Sequence, residues 1–528
     1  MFWKSLAVST TDKKKNKYLL WFFIFLVLLI SFSKILTSPI VGWRVSDSLS
    51  IAQNYYYNHL SFLNPAMNDY RANNSSITLT EFPIIYYFAA LIWQATGENI
   101  WVPRLLTLLC SLGGLMALYQ TSLLFFKEQS KAFIIVLVLL ISPTFLIYSF
   151  TPIPNIPALS FTFIGVYFSY NSYLKNNFWF LLIGLISFTL ACLLKITNLI
   201  SFSFVLLCYC YFNLKSKKNN VLIIIGAICS LLTIYSWVLF LKQYNNESAS
   251  SVLLNQFSSI NLSQKQIIEY LISDAFLLKF RLLYPIYFWV LLVTSMVLII
   301  YQAIIQKKYF LTAAFLFLIM GTIAYFLVFF LSFNAHRYYI IDFIPLILFT
   351  IGSGLFLLKE HFYQKIKSIL ITGLILNALY SSIYLCEEFN RLPLTFKKLL
   401  PKTIQKDFQE NHDYFQTKIQ PLHKYRDTIK NLGINRLDSK VIFLTDGSPN
   451  IGFYQLNLKG VTNCNFCVNT DISEKLFEDK IIYLRSIGYQ YVIIEKKKPF
   501  NKDIYKFRNK VLFEDDYLQI LELNSMLE

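Results

Sequence analysis

Between residues 18 and 386 the chain returns repeatedly to apolar runs of about 17 to 25 residues, the length a helix needs to cross a hydrocarbon core of about 30 Å. Inside lipid every backbone N–H and C=O must be satisfied within the protein, so such runs are constrained to be helices. About eleven of them fall near 18–37, 104–126, 132–150, 155–174, 178–194, 196–212, 221–241, 283–304, 310–331, 340–358 and 367–386. The first is too long, and too poorly followed by small residues, for a cleaved signal peptide, and reads as an anchor. With 55% hydrophobic residues and a mean hydropathy of +0.49, an ordinary soluble globular protein is excluded.

Charge supplies the expected orientation. With the N-terminus cytoplasmic, residues 1–386 carry 16 Lys and Arg against 3 acidic residues inside, and 10 against 8 outside. Basic residues crowd the even-numbered turns, as the positive-inside rule requires. The net charge of +18 is therefore mostly a topology signal, and no nucleic-acid partner is expected. An odd number of spans places the C-terminal residues 387–528 on the outer face of the inner or plasma membrane, together with the long loop 38–103. Six cysteines, Cys110, Cys192, Cys208, Cys210, Cys229 and Cys386, lie in or beside apolar spans and read as buried small hydrophobes. Cys464 and Cys467, on the oxidising side, favour a local disulfide over zinc.

Unusual polar groups gather at the outer ends of the spans. In the first loop, Ser46-Asp47 is placed to cap a helix running through Leu49, Ile51, Ala52 and Tyr56, and capping is compatible with chemistry at Asp47. A second helix is expected over Pro83–Ala95, and both would suit the membrane interface with their tyrosines and tryptophans at headgroup depth. Asn68–Thr80 between them reads as a solvated polar loop. Leu112-Gly113-Gly114-Leu115 allows either a close helix approach or a flexible point. Three prolines within 151–157 break the chain between two spans. Lys195 either snorkels outward or faces a polar cavity. Arg104, Lys279, Arg281 and Asn334-Ala335-His336-Arg337-Tyr338-Tyr339 complete the outer set, where cations bind lipid headgroups or a phosphate of a substrate. Past residue 386 the composition turns to 22 basic against 19 acidic residues, with strands expected at Val441–Thr445 and Tyr491–Glu495 and a helix around Ile472–Ser486.

A sugar on a polyprenyl phosphate is displaced at its anomeric carbon by an acceptor that needs a base within hydrogen-bond reach, while the leaving phosphate needs cations or a divalent metal. Asp47 can be that base. Trp43-x-x-x-Asp47, Glu81-Phe82-Pro83, Pro103-Arg104-Leu105, Pro152-x-Pro154-Asn155-x-Pro157, Leu194-Lys195 and His336-Arg337-Tyr338-Tyr339 together resemble the family 39/83 membrane glycosyltransferases of the GT-C fold. These include the protein O-mannosyltransferases and the lipid A aminoarabinose transferases. The C-terminal part is similar to the outer domain of bacterial members through Gly447-Ser448-Pro449, Tyr454 and Ile487-Gly488-Tyr489-x-Tyr491-Val492.

The resemblance implies a polytopic α-helical membrane protein, GT-C-like, with a small extracytoplasmic α/β domain after a transmembrane domain of residues 1–386. It implies a sugar transferred by inversion from a polyprenyl-phosphate donor to an outer-face lipid, glycan or protein. Asp47 would be the base, and Glu81 would shape the site or join Asp47 in holding a divalent cation. Lys195, Arg337, Arg104 and Arg281 are the donor-phosphate candidates, with His336, Tyr338 and Asn155 in support. Two positions depart from the family: Phe82 stands where the aminoarabinose transferases have a basic residue, and Asn155 where several relatives have Asp. The non-enzymatic alternative is a flippase or transporter of lipid-linked sugars, against which the absence of sequence repeats and the outer position of the polar groups count.

Overall fold

The computed structural model describes residues 42–70, 81–212, 217–247, 263–306, 309–388, 422–444, 450–462, 474–496 and 510–523, with a few single residues between 398 and 409. The expected first span, the turn at Gly447-Ser448-Pro449, and Cys464 and Cys467 lie outside the described residues. The chain divides into two compact units. One contains Arg104–Leu239 and Leu254–Glu387; the other combines Ser38–Pro103, Phe240–Leu253 and Glu388–Glu528. A unit boundary falls between Glu387 and Glu388, and residues 38–103 group with the C-terminal part.

The first unit is helical. The remaining ten expected spans all fall on described helices, among them Asn155–Lys175, Phe178–Leu194, Ile286–Gln306 and Phe310–Val328. Five described segments are long and apolar enough to cross a membrane by length and composition: Trp101–Phe126, Val221–Asn246, Phe288–Gln306, Phe310–Val328 and Arg337–Leu357. Ile224, Ile225, Ile228 and Leu232 are exposed along one of these, an apolar surface that water would penalise and acyl chains would not. Gly114 is there for packing: a Cβ on it would sit 2.8 Å from Ser160 of helix Asn155–Lys175, so the close approach, not the flexible point, is what the glycine permits.

One span differs from its expected form. Residues 132–150 form two helices, Gln129–Leu140 and Pro143–Tyr148, because Ser142 accepts from Phe145 N at 3.2 Å and Pro143 sits where its missing N–H costs nothing.

In the second unit five strands form one sheet in the order β2-β1-β3-β5-β4. β1 (Val441–Leu444) lies between β2 (Gly460–Thr462) and β3 (Tyr491–Glu495), parallel to both, while β5 (Leu518–Glu522) is antiparallel to β3 and to β4 (Lys510–Glu514). β1 is buried on both faces, which is why it is a continuous apolar run. Ile442, Leu444, Val492 and Ile494 pack on one side with Ile481 and Leu484 of helix Glu474–Ser486. Val441, Phe443, Ile493 and Ile520 pack on the other with Tyr425, Ile429 and Phe453. The expected strands and helix are thus found within a residue or two of their expected limits.

The first outer loop is an extension of this sheet. Gly460 N donates to Asn68 O (3.0 Å) and Tyr70 N donates to Gly460 O, so Asp69 bridges in parallel to the edge of β2. Asn68 and Asp69 are fully buried, which corrects the reading of this part of the loop as solvated; Arg71 to Thr80 lie outside the described residues.

Candidate active site

Helix Trp43–Asn58 carries Asp47. It begins at Trp43, three residues before Ser46 and with Gly42 ahead of it, so Asp47 lies in its second turn and caps nothing. The helix is also not interfacial. Every residue from Ser46 to Tyr55 is buried, and polar residues among them, Ser50, Gln53 and Asn54, hydrogen-bond internally instead of facing headgroups. The neighbouring helix Ile84–Thr96 does fit an interface: Tyr86, Ala89, Ala90 and Trp93 are buried at helical spacing, while Phe88, Leu91 and Ile92 are exposed.

Asp47 is 6% exposed, and its Oδ1 accepts from Asn450 Nδ2 at 2.7 Å. Asn450 Oδ1 in turn accepts from Asp69 N at 3.1 Å. The carboxylate of Glu81 accepts from Arg44 and from the Tyr86 hydroxyl, which itself receives Ser48 Oγ at 3.1 Å. Glu81 is therefore charge-balanced and held in place. Nearly two turns beyond Asp47, Gln53 donates to Glu98 (2.8 Å), and Glu98 also receives Tyr57 OH (2.8 Å) and the Arg426 guanidinium (3.3 Å). Arg436 is almost fully buried against Asn68, Gln53 and the Tyr57 ring, and loss of water pushes its guanidinium down to about 10. Beside it, burial first and the Arg436 charge second push the Lys459 ammonium down to about 7.

The first unit holds the other expected residues. Lys195 follows helix Phe178–Leu194 directly and pairs with Asp342 at 2.9 Å, with its ammonium 4.7 Å from the Tyr339 ring centre. His336 stacks on Tyr338 at 5.2 Å, and buried Asn155 donates to Tyr338 O at 3.2 Å, which ties the start of helix Asn155–Lys175 to the short helix Arg337–Phe343. Arg104 is buried on helix Trp101–Phe126. On helix Asp274–Leu283, Arg281 is exposed while Lys279 is buried, donating to Tyr270 OH (2.9 Å) and to Phe333 O. Burial and the nearby Arg337 charge push Lys279 down to about 8. Of the two cations two residues apart, Lys279 is the buried one, and it is near enough to feel the Arg337 charge. An apolar cavity of about 350 Å³ also lies in this unit, walled by Phe125, Phe163, Tyr170, Phe204, Tyr209 and Phe349.

The described residues offer no ready set of ligands for a divalent cation. Among the described residues no three His, Cys, Asp or Glu side chains converge, and Glu81 is already engaged by Arg44 and Tyr86.

Residues 80–240 match the family model described as dolichyl-phosphate-mannose-protein mannosyltransferase; Glu81, Arg104, Asn155 and Lys195 lie inside that match and Asp47 before it. No curated protein sequence matches. Among solved structures, ArnT from Cupriavidus metallidurans is similar with a TM-score of 0.56 at 13% identity, over 96% of this chain and 98% of that one in the apo state. Its form bound to undecaprenyl phosphate gives the same TM-score and identity over 97% and 99%.

The chain has the GT-C fold. The Archaeoglobus fulgidus oligosaccharyltransferase, with a TM-score of 0.53 at 12% identity over 93% of this chain and 70% of that one, is a further structure of this kind. The resemblance carried by the outer-end motifs holds at the level of the fold, and family match and fold together point to a multi-pass membrane glycosyltransferase of the GT-C type. Within this GT-C chain, sequence reading missed Asn450, Glu98 and the engagement of Arg44 with Glu81. Only the turn residues just before Asn450 gave any signal of it.

Proposed function

We propose that the protein transfers a sugar from a polyprenyl-phosphate carrier to an acceptor on the outer face of the plasma membrane, with Asp47 as general base. Asp47 takes the proton of the acceptor hydroxyl or amine as that atom bonds to the anomeric carbon, and the carbon–oxygen bond to the phosphate breaks on the opposite side, inverting the centre. The leaving polyprenyl phosphate needs its charge met by cations, for which the first unit offers Arg337 and Lys279. Lys279 replaces Arg281 in this reading because it is the buried cation beside Arg337. Lys195, balanced by Asp342, supports the Tyr338–Tyr339 wall instead of meeting the phosphate. Glu81 has the corresponding part in the other unit, where Arg44 and Tyr86 hold it. The aromatic cavity suits an isoprenoid or acyl chain. The undecaprenyl phosphate bound by ArnT is the kind of carrier this reading calls for.

The observation that carries the proposal is a single ionisable side chain, Asp47, placed in the second turn of a buried helix and aimed by a neutral amide donor. A helix cap would have explained Asp47 without chemistry, and it is not one. The test is release of lipid phosphate from radiolabelled polyprenyl-phosphate sugars by the purified protein with and without acceptor fractions. Acceptor-dependent release that disappears in Asp47→Asn supports the reading; release by Asp47→Asn at the wild-type rate removes Asp47 from the chemistry.

A further inference from the structure

We infer that Asn450, from the C-terminal α/β part of the chain, is a positioning residue for Asp47, so that this part completes the catalytic machinery. The inference rests on the reading of Asp47 as base. Asn450 stands immediately before helix Ile451–Leu456, where an asparagine side chain ordinarily turns in to cap the first free amides. Here it makes no capping bond. It is fully buried and spans two other elements: Oδ1 accepts from Asp69 N, and Nδ2 donates to Asp47 Oδ1 and approaches Met67 Sδ at 3.6 Å.

The orientation of the amide is determined by its partners. A backbone N–H can only donate, so the atom facing Asp69 N must be the oxygen, and the nitrogen must face Asp47. Asp69 N is itself fixed, since its neighbours Asn68 and Tyr70 are bonded to Gly460 and its own carboxylate accepts from Thr462 Oγ1 at 3.3 Å. The sheet edge thus sets Asn450, and Asn450 sets Asp47. An amide N–H favours the charged form of its carboxylate and fixes the direction in which that carboxylate faces. Among the described residues, the charged groups on the same helix and adjoining loop are Arg44, engaged with Glu81, and Asp69.

The experiment compares wild type, Asn450→Ala, isosteric Asn450→Asp and Asp47→Asn in the full-length protein, as pH profiles of acceptor-dependent lipid-phosphate release with donor KM and kcat separated. Asn450→Ala is expected to lower kcat about 10- to 100-fold with donor KM within about threefold, and to move the acidic limb upward as the carboxylate loses its donor. Asn450→Asp puts a second carboxyl against Asp47 and is expected to move that limb up by about one pH unit or more. A merely structural role would change the amount of active protein and leave the limb in place, so an unmoved limb in Asn450→Asp overturns the inference even where Asn450→Ala fails to accumulate. Wild-type turnover by Asp47→Asn instead overturns the base assignment beneath it. An inactive Asp47→Asn beside Asn450 variants with wild-type rate and limb overturns the positioning role alone.

Discussion

The Lys195–Asp342 pair offers a quantitative test because both partners are nearly dry, with side chains 12% and 10% exposed and a 2.9 Å contact. Thr197 Oγ1 adds a bond to the same Asp342 oxygen at 3.0 Å. At this separation the gross attraction is roughly 6 kcal/mol for an effective dielectric constant near 20, most of it offset by desolvation of the two charges. Removing one partner leaves the other charge buried, so Lys195→Met or Asp342→Leu alone should cost about 3 to 5 kcal/mol. Removing both should cost about 1 kcal/mol or less, because apolar side chains of similar volume fill the same space. Apparent melting in detergent should fall by roughly 3 to 8 °C in each single variant and by about 2 °C or less in the double. If the double variant is as unstable as the two singles summed, the pair is not coupled and the reasoning is refuted. The same proteins separate scaffold from ligand: a scaffold pair leaves donor KM of the double variant within about threefold, whereas a lysine that met the phosphate would raise it tenfold or more.

Three further outcomes follow from the second unit. Arg44→Ala strands the Glu81 carboxylate, 8% exposed, and should lower stability by about 3 kcal/mol, while Glu81→Gln, which keeps a partner for Tyr86, should cost less than half of that; thermal melting ranks the two. Lys459 has a folded value near 7 against an ordinary 10.5, so the unfolded chain binds more protons between those values and stability rises as pH increases from 7 to 10.5, with the full penalty present below 7. Lys459→Met should therefore melt higher than wild type at pH 6.5, by roughly 2 kcal/mol, with the difference fading by pH 10. Gly460→Ala would place a Cβ 1.7 Å from Val441 O, so β2 must separate from β1; a loss of roughly 3 kcal/mol or more and new protease cleavage near residue 460 are expected.

What could be read in the chain beforehand follows from how local each signal is. Asn155–Lys175 and Phe178–Leu194 were legible to a residue or so, since an apolar run of span length ended by Pro, Asn or Lys has few other solutions. β1 and β3 were legible as buried apolar runs, whereas β4 and β5 mix charged with apolar residues and gave no such signal. The break at Ser142–Pro143 was written in the sequence as a capping serine before a proline, but hydropathy averages across it. In the candidate site, motif order singled out Asp47 and Glu81. That Lys279 is buried and Arg281 exposed depends on helix phase, which fixes only when the helix finds its neighbours. Asn450 lies 403 residues from Asp47, a separation at which no spacing rule operates.

That separation has a consequence for how the protein is made. Helix Trp43–Asn58 leaves the ribosome well before the groups that satisfy Asp47 and Gln53, which come from Asn450, 403 residues after Asp47, and from Tyr454 and Arg436. Until those arrive, a helix rich in inward-facing serine, glutamine and asparagine must stay wet or borrow other partners. The surroundings of Asp47 are complete only once β1 and the segment after it have been made, so a chain stopped short of β1 would hold the described apolar helices and still lack Asn450 and Tyr454 as partners of Asp47 and Gln53.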